Sequence, residues 1–225
     1  MERDLLQEAT DFFLSCNEDR MDIPQPSSNE ISTLSLRVKK DDSTTYTLRR
    51  AEWSKRVPYR LVSERLIIRP FAEADHPSFH IIAAQHSVAR MLVNLEHPLS
   101  APVAEEWLNK RRYVGRLGFM VGIFNHDDRL LGSIGIGGLS NSLVYFLDES
   151  VRGKGIGTEA VSLFLDDVIA RFALKNLSAG VFTDNPASRH LLEKLGFIVT
   201  GTSLFHSPAR ARLEPFWEMA LSQED

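Results

Sequence analysis

A glycine-rich loop, residues 152–157, has the residue types and spacing best suited to chemistry, and it is called the glycine loop below. A strand-like run over residues 143–147 leads into it, and a helical pattern follows from Thr158. The start of a helix presents backbone N–H groups without intrahelical acceptors, at the positive end of the helix dipole. Glycines let a phosphate approach that backbone closely. The pattern predicts a pyrophosphate cradle formed by Arg152, Gly153, Lys154, Gly155, Ile156, Gly157 and Thr158.

Two other phosphate-binding patterns do not fit the glycine loop. The Walker pattern requires Gly-x-x-x-x-Gly-Lys followed by Ser or Thr, and residues 151–159 do not match it. The dinucleotide fingerprint Gly-x-Gly-x-x-Gly finds its first pair in Gly153 and Gly155, but position 158 is threonine. A structural turn without a ligand is the remaining alternative.

Longer stretches on both sides of the glycine loop carry a family resemblance. Residues 145–160 resemble the acetyl-CoA motif of the GNAT superfamily of N-acetyltransferases, and residues 185–197 resemble its second motif. Residues 63–70 and 130–135 are similar to the branch that contains the RimJ and RimL N-terminal acetyltransferases. The resemblance covers roughly residues 58 to 221. It implies a mixed α/β GNAT fold, with a central, mostly antiparallel, twisted sheet that splays at the cofactor site and is flanked by helices.

The resemblance also implies roles for individual residues. Acetyl-CoA is the implied co-substrate, and its pantetheine arm pairs with the backbone of Tyr145, Phe146 and Leu147. Physically this is strand addition by a cofactor at an exposed sheet edge. Asn185, which opens the second motif, is expected beside the same arm. Ser188 occupies the position from which RimL-like enzymes are proposed to serve the leaving thiolate, although a serine that only starts a helix is the alternative.

The remaining proton-transfer groups are not located by the sequence. Relatives with a tyrosine acid carry it seven residues after the asparagine, and this chain has Leu192 there. Leu143 and Val144 provide no carboxylate on the central strand. His206 is either a proton relay or a surface histidine. An α-amine, with a pKa of about 8, needs less help from a base than a lysine at about 10.4.

The overall composition limits the class of protein. With 225 residues, 43% hydrophobic and 25% charged, the chain is long enough for one principal core and an appendage. A formal net charge of −4 argues against a nucleic-acid partner, which requires a clustered basic surface. No apolar stretch approaches the roughly 20 residues of a membrane helix, and no secretory leader begins the chain, so a cytoplasmic location is expected. Cys16 is expected to be a buried thiol, and no metal site is predicted.

The pattern changes near residue 55. Residues 1–55 are predicted to be an N-terminal extension, with an amphipathic helix around residues 5–16 and a β-hairpin over residues 34–48. Residues 56–225 are predicted to form the GNAT domain, in which strands and helices alternate. Asp75 is the expected N-cap of its first helix. Helices are predicted around residues 76–83, 101–108, 158–173 and 187–195, and strands around residues 66–68, 119–124, 130–136, 143–147, 177–182, 197–205 and 213–221.

The acceptor of the acetyl group is less constrained. The resemblance implies the α-amine of a protein or peptide, with a small-molecule amine or an inactive acyl-CoA-binding module as alternatives. Residues 96–99 are expected to form part of the acceptor wall or a loop bounded by proline. Trp53, Tyr59 and Phe216 are expected to line the acceptor site or to fill the core. The extension is expected to cover apolar surface of the domain or to form a homodimer contact.

Overall fold

The structure is a computed structural model that describes residues 33–37, 45–49, 59–93, 95–137 and 141–222. The chain divides into two compact units, Met1–Pro58 and Tyr59–Asp225. The predicted boundary between residues 55 and 56 falls inside the first of these units.

The first unit contains a short hairpin. Strand β1 (Thr33–Arg37) pairs antiparallel with β2 (Thr45–Arg49), and Leu34 lies opposite Leu48. Both strands lie in the stretch where alternating residues predicted a hairpin. The predicted helix around residues 5–16, with Cys16, and the side chain of Trp53 lie outside the described residues.

The second unit is a mixed α/β domain. Its strands are β3 (Leu61–Val62), β4 (Ile67–Arg69), β5 (Phe119–Phe124), β6 (Leu130–Gly137), β7 (Ser142–Leu147), β8 (Asn176–Phe182), β9 (Ile198–Phe205) and β10 (Glu214–Ser222). Its described helices are α1 (His76–Ala83), α2 (His86–Ala89), α3 (Ala101–Asn109), α4 (Ile156–Phe172) and α5 (Pro186–Lys194). Short 3₁₀ turns occupy Glu73–Asp75 and Glu149–Val151.

The eight strands of this unit form one sheet in the order β3-β4-β5-β6-β7-β8-β10-β9. Every neighbouring pair is antiparallel except β7 and β8, which are parallel. A parallel pair requires a long crossover connection, and α4 provides it. The mostly antiparallel sheet that the resemblance implied is therefore confirmed.

Strand β7 is covered on both faces because its side chains alternate between them. Leu143 belongs to the apolar layer that includes Phe164 of α4, and Tyr145 and Leu147 pack against that layer. On the opposite face, Phe146 belongs to the layer formed with α1 and α3. Packing on both faces therefore fixes the position of β7 in the sheet.

The core also decides the role of Tyr59. Its side chain is 1% exposed and its ring lies 5.2 Å, between centroids, from that of Phe119. Of its two expected roles, acceptor lining or core, Tyr59 takes the core role.

Helix starts differ from the sequence-based expectation in two places. Helix α4 begins at Ile156, not at Thr158, because Gly155 occupies the N-cap position and the last residues of the glycine loop already lie in the first turn. Asp75 is the N-cap residue of α1, but its side chain makes no capping hydrogen bond to that helix. Instead Asp75 accepts from the backbone of Ala72 at 2.7 Å and pairs with Arg69 at 2.7 Å.

A substitution at Gly132 should disturb β7 through its neighbour β6. Gly132 lies opposite Leu147, and a Cβ atom there would be 2.2 Å from the carbonyl oxygen of Phe146. Because backbone must move to relieve that clash, we expect Gly132→Ala to lower the free energy of unfolding by about 1–3 kcal/mol, measured by urea denaturation. Gly137→Ala is the control, since its Cβ would meet no heavy atom within 4 Å. Equal losses in the two variants would contradict this account.

Candidate functional site

The site begins where β7 and β8 separate. The two strands pair at only two positions, Ser142 with Ser178 and Leu143 with Ala179. Both strands continue beyond these pairs, and on its other edge β7 stays paired with β6. In the described sheet, the β8 side of residues 145–147 therefore has no strand partner. The splayed edge that the resemblance implied is present.

The glycine loop follows this edge and adopts a conformation that depends on glycine. Gly153 and Gly155 have φ angles of 72° and 77°, in the left-handed region that other residues enter at a cost. Gly155 is the N-cap of α4, so the N–H groups of the first turn of that helix have no intrahelical acceptor. A Cβ at Gly153 would meet no atom within 4 Å, so the space beside the loop is open. This geometry suits an anion.

The third glycine of the loop has a packing role instead. A Cβ at Gly157 would lie 3.0 Å from Cδ1 of Leu191 and 3.3 Å from Cδ1 of Leu147. Gly157 therefore allows α4 to lie close to both α5 and the end of β7. Ile156, beside it, is 9% exposed and belongs to the core.

The two basic side chains of the loop are turned back toward the chain that precedes it. Arg152 donates from Nε and Nη2 to the carbonyl of Leu147, at 3.2 and 3.0 Å. Lys154 donates from Nζ to the carbonyl of Ser150 at 2.8 Å. Arg152 thus ties the loop to the end of β7, and Lys154 ties it to the 3₁₀ turn Glu149–Val151, while both charges stay beside the loop. Their role toward a phosphate stays a prediction.

The turn between β3 and β4 fastens the loop from outside, a contact for which the sequence assigned no role. Arg65 donates from Nη1 to the carbonyl of Lys154 at 3.0 Å and from Nε to Glu159 at 2.6 Å. Ser63 donates to the other oxygen of Glu159 at 2.6 Å. Burial raises the pKa of Glu159, but hydrogen bonds from Ser63 and Arg65 outweigh it and the pKa falls below its usual value. The sequence did single out residues 63–70, which contain Ser63 and Arg65, as similar to the RimJ/RimL branch. That similarity is the feature that could have pointed to this contact.

The gap between residues 145–147 of β7 and the diverging part of β8 is called the wedge below. At its α5 side, three predicted residues come together. Asn185 caps α5, because its Oδ1 accepts from the backbone N–H of Ser188 at 3.2 Å. The hydroxyl oxygens of Ser188 and Tyr145 are 2.8 Å apart, within hydrogen-bonding distance. Burial raises the pKa of Tyr145 to about 12, against a lowering by the Ser188 hydrogen bond. The phenol is therefore neutral at physiological pH and able to donate.

The tyrosine position of other superfamily members is filled by core packing in this chain. Leu192 is 1% exposed and belongs to the apolar layer on α4. The hydroxyl of Tyr145 reaches Ser188 from β7 instead. The sequence did not predict this pairing, because Tyr145 was expected to contribute only its backbone.

Other candidates lie apart from this cluster. His206 is exposed on the connection between β9 and β10. Phe216 packs its ring on Phe182, with centroids 5.0 Å apart, and so fills space against the sheet. In the segment 96–99, Leu99 is buried and its carbonyl accepts from the ring of His80 at 2.8 Å. That segment is a loop packed against α1.

An ion cluster holds the β9–β10 connection beside the start of α5. Arg210 donates to both oxygens of Asp184, at 3.0 and 2.8 Å, and to the carbonyl of Arg90 at 2.7 Å. Arg90 also pairs with Asp184. Buried Ser207 donates to the carbonyl of Ala89 at 3.1 Å. The connection is therefore fixed to α2 and to the residue that precedes Asn185.

The model of the acetyltransferase (GNAT) domain matches residues 65–198, which include the glycine loop, the wedge and α5. The chain belongs to the GNAT acetyltransferase domain family. The family expected from the sequence motifs is therefore confirmed.

Individual relatives agree with this assignment. The probable N-acetyltransferase YjcK of Bacillus subtilis (strain 168) is 42% identical over 83 residues, which are 34% of this chain and 46% of that protein. The match thus spans less than half of that relative's length.

Solved structures share the fold. A ribosomal-protein-S5-alanine acetyltransferase from Vibrio fischeri superposes with a TM-score of 0.63 at 17% identity, covering 74% of this chain and 98% of its own. A spermidine N-acetyltransferase from Vibrio cholerae, in complex with CoA and spermine, has a TM-score of 0.59 at 19% identity, covering 72% and 97%.

Two features are absent from the described residues, a membrane-spanning helix and a cluster of metal ligands. None of their helices has the length and apolar character to cross a bilayer. Within the same ranges, no three His, Cys, Asp or Glu side chains gather in a way that could hold a metal ion.

The ion cluster should make stability depend on pH. Hydrogen bonding from Arg210 lowers the pKa of Asp184 below its ordinary value. A lowered folded-state pKa stabilises the fold above about pH 5 and loses that contribution as the pH falls through a value below about 3.9. We expect Asp184→Asn to lower the free energy of unfolding at pH 7, measured by urea denaturation, by about 1 kcal/mol or less, because the Asp184 carboxylate is partly exposed. The difference from wild type should shrink as the pH falls below about 3.9. A difference between the two proteins that is constant from pH 7 to pH 3 would contradict this assignment.

Proposed function

We propose that the chain is an acetyl-CoA-dependent N-acetyltransferase whose acceptor is the α-amine of a protein or peptide. The observation that carries this proposal is the splay of β7 from β8 directly beside the start of α4. The wedge offers backbone groups of residues 145–147 to the amides of a pantetheine arm. The N–H groups at the start of α4 face the position of a pyrophosphate. Residues proposed to hold acetyl-CoA are Tyr145, Phe146, Leu147, Arg152, Gly153, Lys154, Gly155, Ile156, Gly157, Thr158 and Asn185.

Acetyl-CoA supplies an acetyl thioester, so the acceptor nitrogen bonds to the carbonyl carbon, the carbon–sulfur bond breaks, one proton leaves nitrogen and one ends on sulfur. Ser188 is the proposed donor of the proton to sulfur, and the proton released by the acceptor nitrogen restores the serine hydroxyl through water. Tyr145 is its proposed positioning residue. The 2.8 Å contact allows either hydroxyl to be the donor, and the proposed mechanism uses the arrangement in which the neutral phenol donates to the Ser188 oxygen. The serine proton then points into the wedge. The Ser188 hydroxyl would then be the proton donor in this chain, which has Leu192 where other family members carry a catalytic tyrosine.

The lack of a carboxylate on β7 bears on the acceptor. Val144 and Tyr145 occupy the middle of the strand, and neither is a base at neutral pH. An α-amine loses its proton near pH 8, so a useful fraction of it is nucleophilic without a strong base. The fold shared with the ribosomal-protein-S5-alanine acetyltransferase supports this acceptor class. The spermidine N-acetyltransferase shares the same fold, which keeps a small amine as the second candidate.

Placing a negative side chain in the glycine loop should prevent cofactor binding. Gly155 has a positive φ and lies where the pyrophosphate is proposed to bind, so Gly155→Glu adds strain and charge repulsion. We expect at least about a 100-fold loss of acetyl-CoA affinity by calorimetry. Gly115→Glu is the matched control, since Gly115 also has a positive φ but lies outside the loop. Unchanged acetyl-CoA affinity in Gly155→Glu would refute the site.

Removing the two hydroxyls should show whether they act as a unit. General acid catalysis contributes about 10² or more, so Ser188→Ala is expected to lower kcat about 100-fold, measured by thiol release. Tyr145→Phe is expected to lower kcat about 10-fold with the KM for acetyl-CoA nearly unchanged. If Tyr145 acts through Ser188, the double variant should be no slower than Ser188→Ala alone.

Tyr113→Phe is the matched control, because its hydroxyl contacts Arg171 at 3.5 Å and not Ser188. If kcat of Ser188→Ala equals that of the wild type, Ser188 is not the proton donor. If the loss of kcat in the double variant equals the product of the losses in the two single variants, Tyr145 has a role independent of Ser188. Thiol release confined to small amines would favour the second candidate function, and tight acetyl-CoA binding without release from any acceptor would favour an inactive binding module.

A further inference from the structure

A cavity of about 470 Å³ opens on the face of β7 opposite to Ser188. It lies among α3, β5, β6 and the first half of β7. The residues that define it here are Val93, Trp107, Lys110, Arg111, Met120 and Val144.

This cavity reaches the same part of β7 as the wedge. Val144 lines the cavity, and the next residue, Tyr145, carries the hydroxyl that contacts Ser188. Consecutive Cα atoms are about 3.8 Å apart, and successive side chains of a strand point to opposite faces. The cavity therefore approaches the proposed thioester position from one face while Ser188 approaches it from the other. An acceptor amine in the cavity and the proton donor would then lie on opposite sides of the reacting group.

The charge in this cavity comes from Arg111. Its guanidinium lies 4.0 Å from the ring centroid of Trp107, and Nη1 donates to the Trp107 carbonyl at 3.2 Å. Burial lowers the pKa of Arg111. Within the described part of the chain, no carboxylate forms an ion pair with it. The neighbouring Lys110 differs, since it pairs with Glu106 at 2.6 Å.

Burial removes part of the water around this guanidinium, and among the described residues its compensating contacts are the carbonyl and the ring of Trp107. An anionic ligand would compensate for this, because arginine binds carboxylates through two parallel hydrogen bonds. Among the described lining residues there is no Asp or Glu to receive a polycation. A polyamine in this cavity would place like charges together, which is unfavourable in a partly desolvated site.

We propose that Arg111 binds a carboxylate of the acceptor, and that the acceptor therefore carries an acidic group close to its amine. For a protein or peptide this means an acidic side chain within the first residues. This inference rests on the proposed function, of which it specifies the acceptor class.

Acceptor binding tests the inference without turnover. The full chain, saturated with CoA, is titrated by calorimetry with the amidated peptides Ala-Glu-Glu-Ala and Ala-Gln-Gln-Ala and with spermidine. We expect the acidic peptide to bind at least about 10-fold more tightly than its neutral counterpart. Arg111→Gln should abolish that preference, and Arg111→Lys should retain part of it. Arg112→Gln, at the exposed neighbouring residue, should leave it unchanged.

Equal affinity for the two peptides, tighter binding of spermidine, or an unaltered preference in Arg111→Gln would each overturn the proposal. Circular dichroism and CoA affinity verify the fold of each variant, and the wild-type comparison of the two peptides decides the matter if a variant fails to fold. Thiol release with acetyl-CoA is measured separately. Charge-selective binding without release would refute the proposed enzymatic function, whereas release from the neutral peptide alone would refute only the role of Arg111.

Discussion

The short parallel pairing of β7 with β8 is the constraint on which the rest of the site depends. Two paired positions hold the strands together at one end, and the wedge opens where the pairing stops. If the ladder continued, the backbone groups of residues 145–147 would be used within the sheet and unable to bind a ligand. Because the pair is parallel, the connection must cross over, and that crossover is α4. The short parallel pairing of β7 with β8 thus accounts for both the exposed edge of β7 and the helix that starts beside it.

Packing on both faces of the sheet gives the wedge its precision. Leu143 on one face and Phe146 on the other are buried in separate apolar layers, so β7 cannot rotate or slide easily. A buried strand with one free backbone edge is a rigid surface for a long, flexible ligand arm, which lowers the entropy cost of binding. The two faces also separate functions in the proposed mechanism. The α5 face carries Ser188 and the α3 face carries Arg111.

Contacts between residues far apart in the chain hold the loops around this strand. Ser63 and Arg65 reach Glu159 in the first turn of α4. Asp184 joins Arg90 and Arg210 beside the start of α5. Ion pairs in which one partner is partly exposed, as Arg65 and Asp184 are here, add little stability by themselves. Their effect is positional, because each fixes a connection whose neighbour in sequence belongs to the proposed site.

The sequence by itself determined what depends on local pattern: the glycine loop between a strand and a helix, most element positions, and the family. Those features follow from side-chain periodicity and from the glycines that positive φ angles require, which neighbouring residues reveal. Only the tertiary structure decided the pairing of Tyr145 with Ser188, the contacts of Arg65 with Lys154 and Glu159, the core role of Tyr59 and the position of the Arg111 guanidinium in the cavity. Each of these depends on which surfaces meet across strands distant in the chain. Strand alternation and helix spacing carry no information about such partners, so those contacts had to be observed in three dimensions.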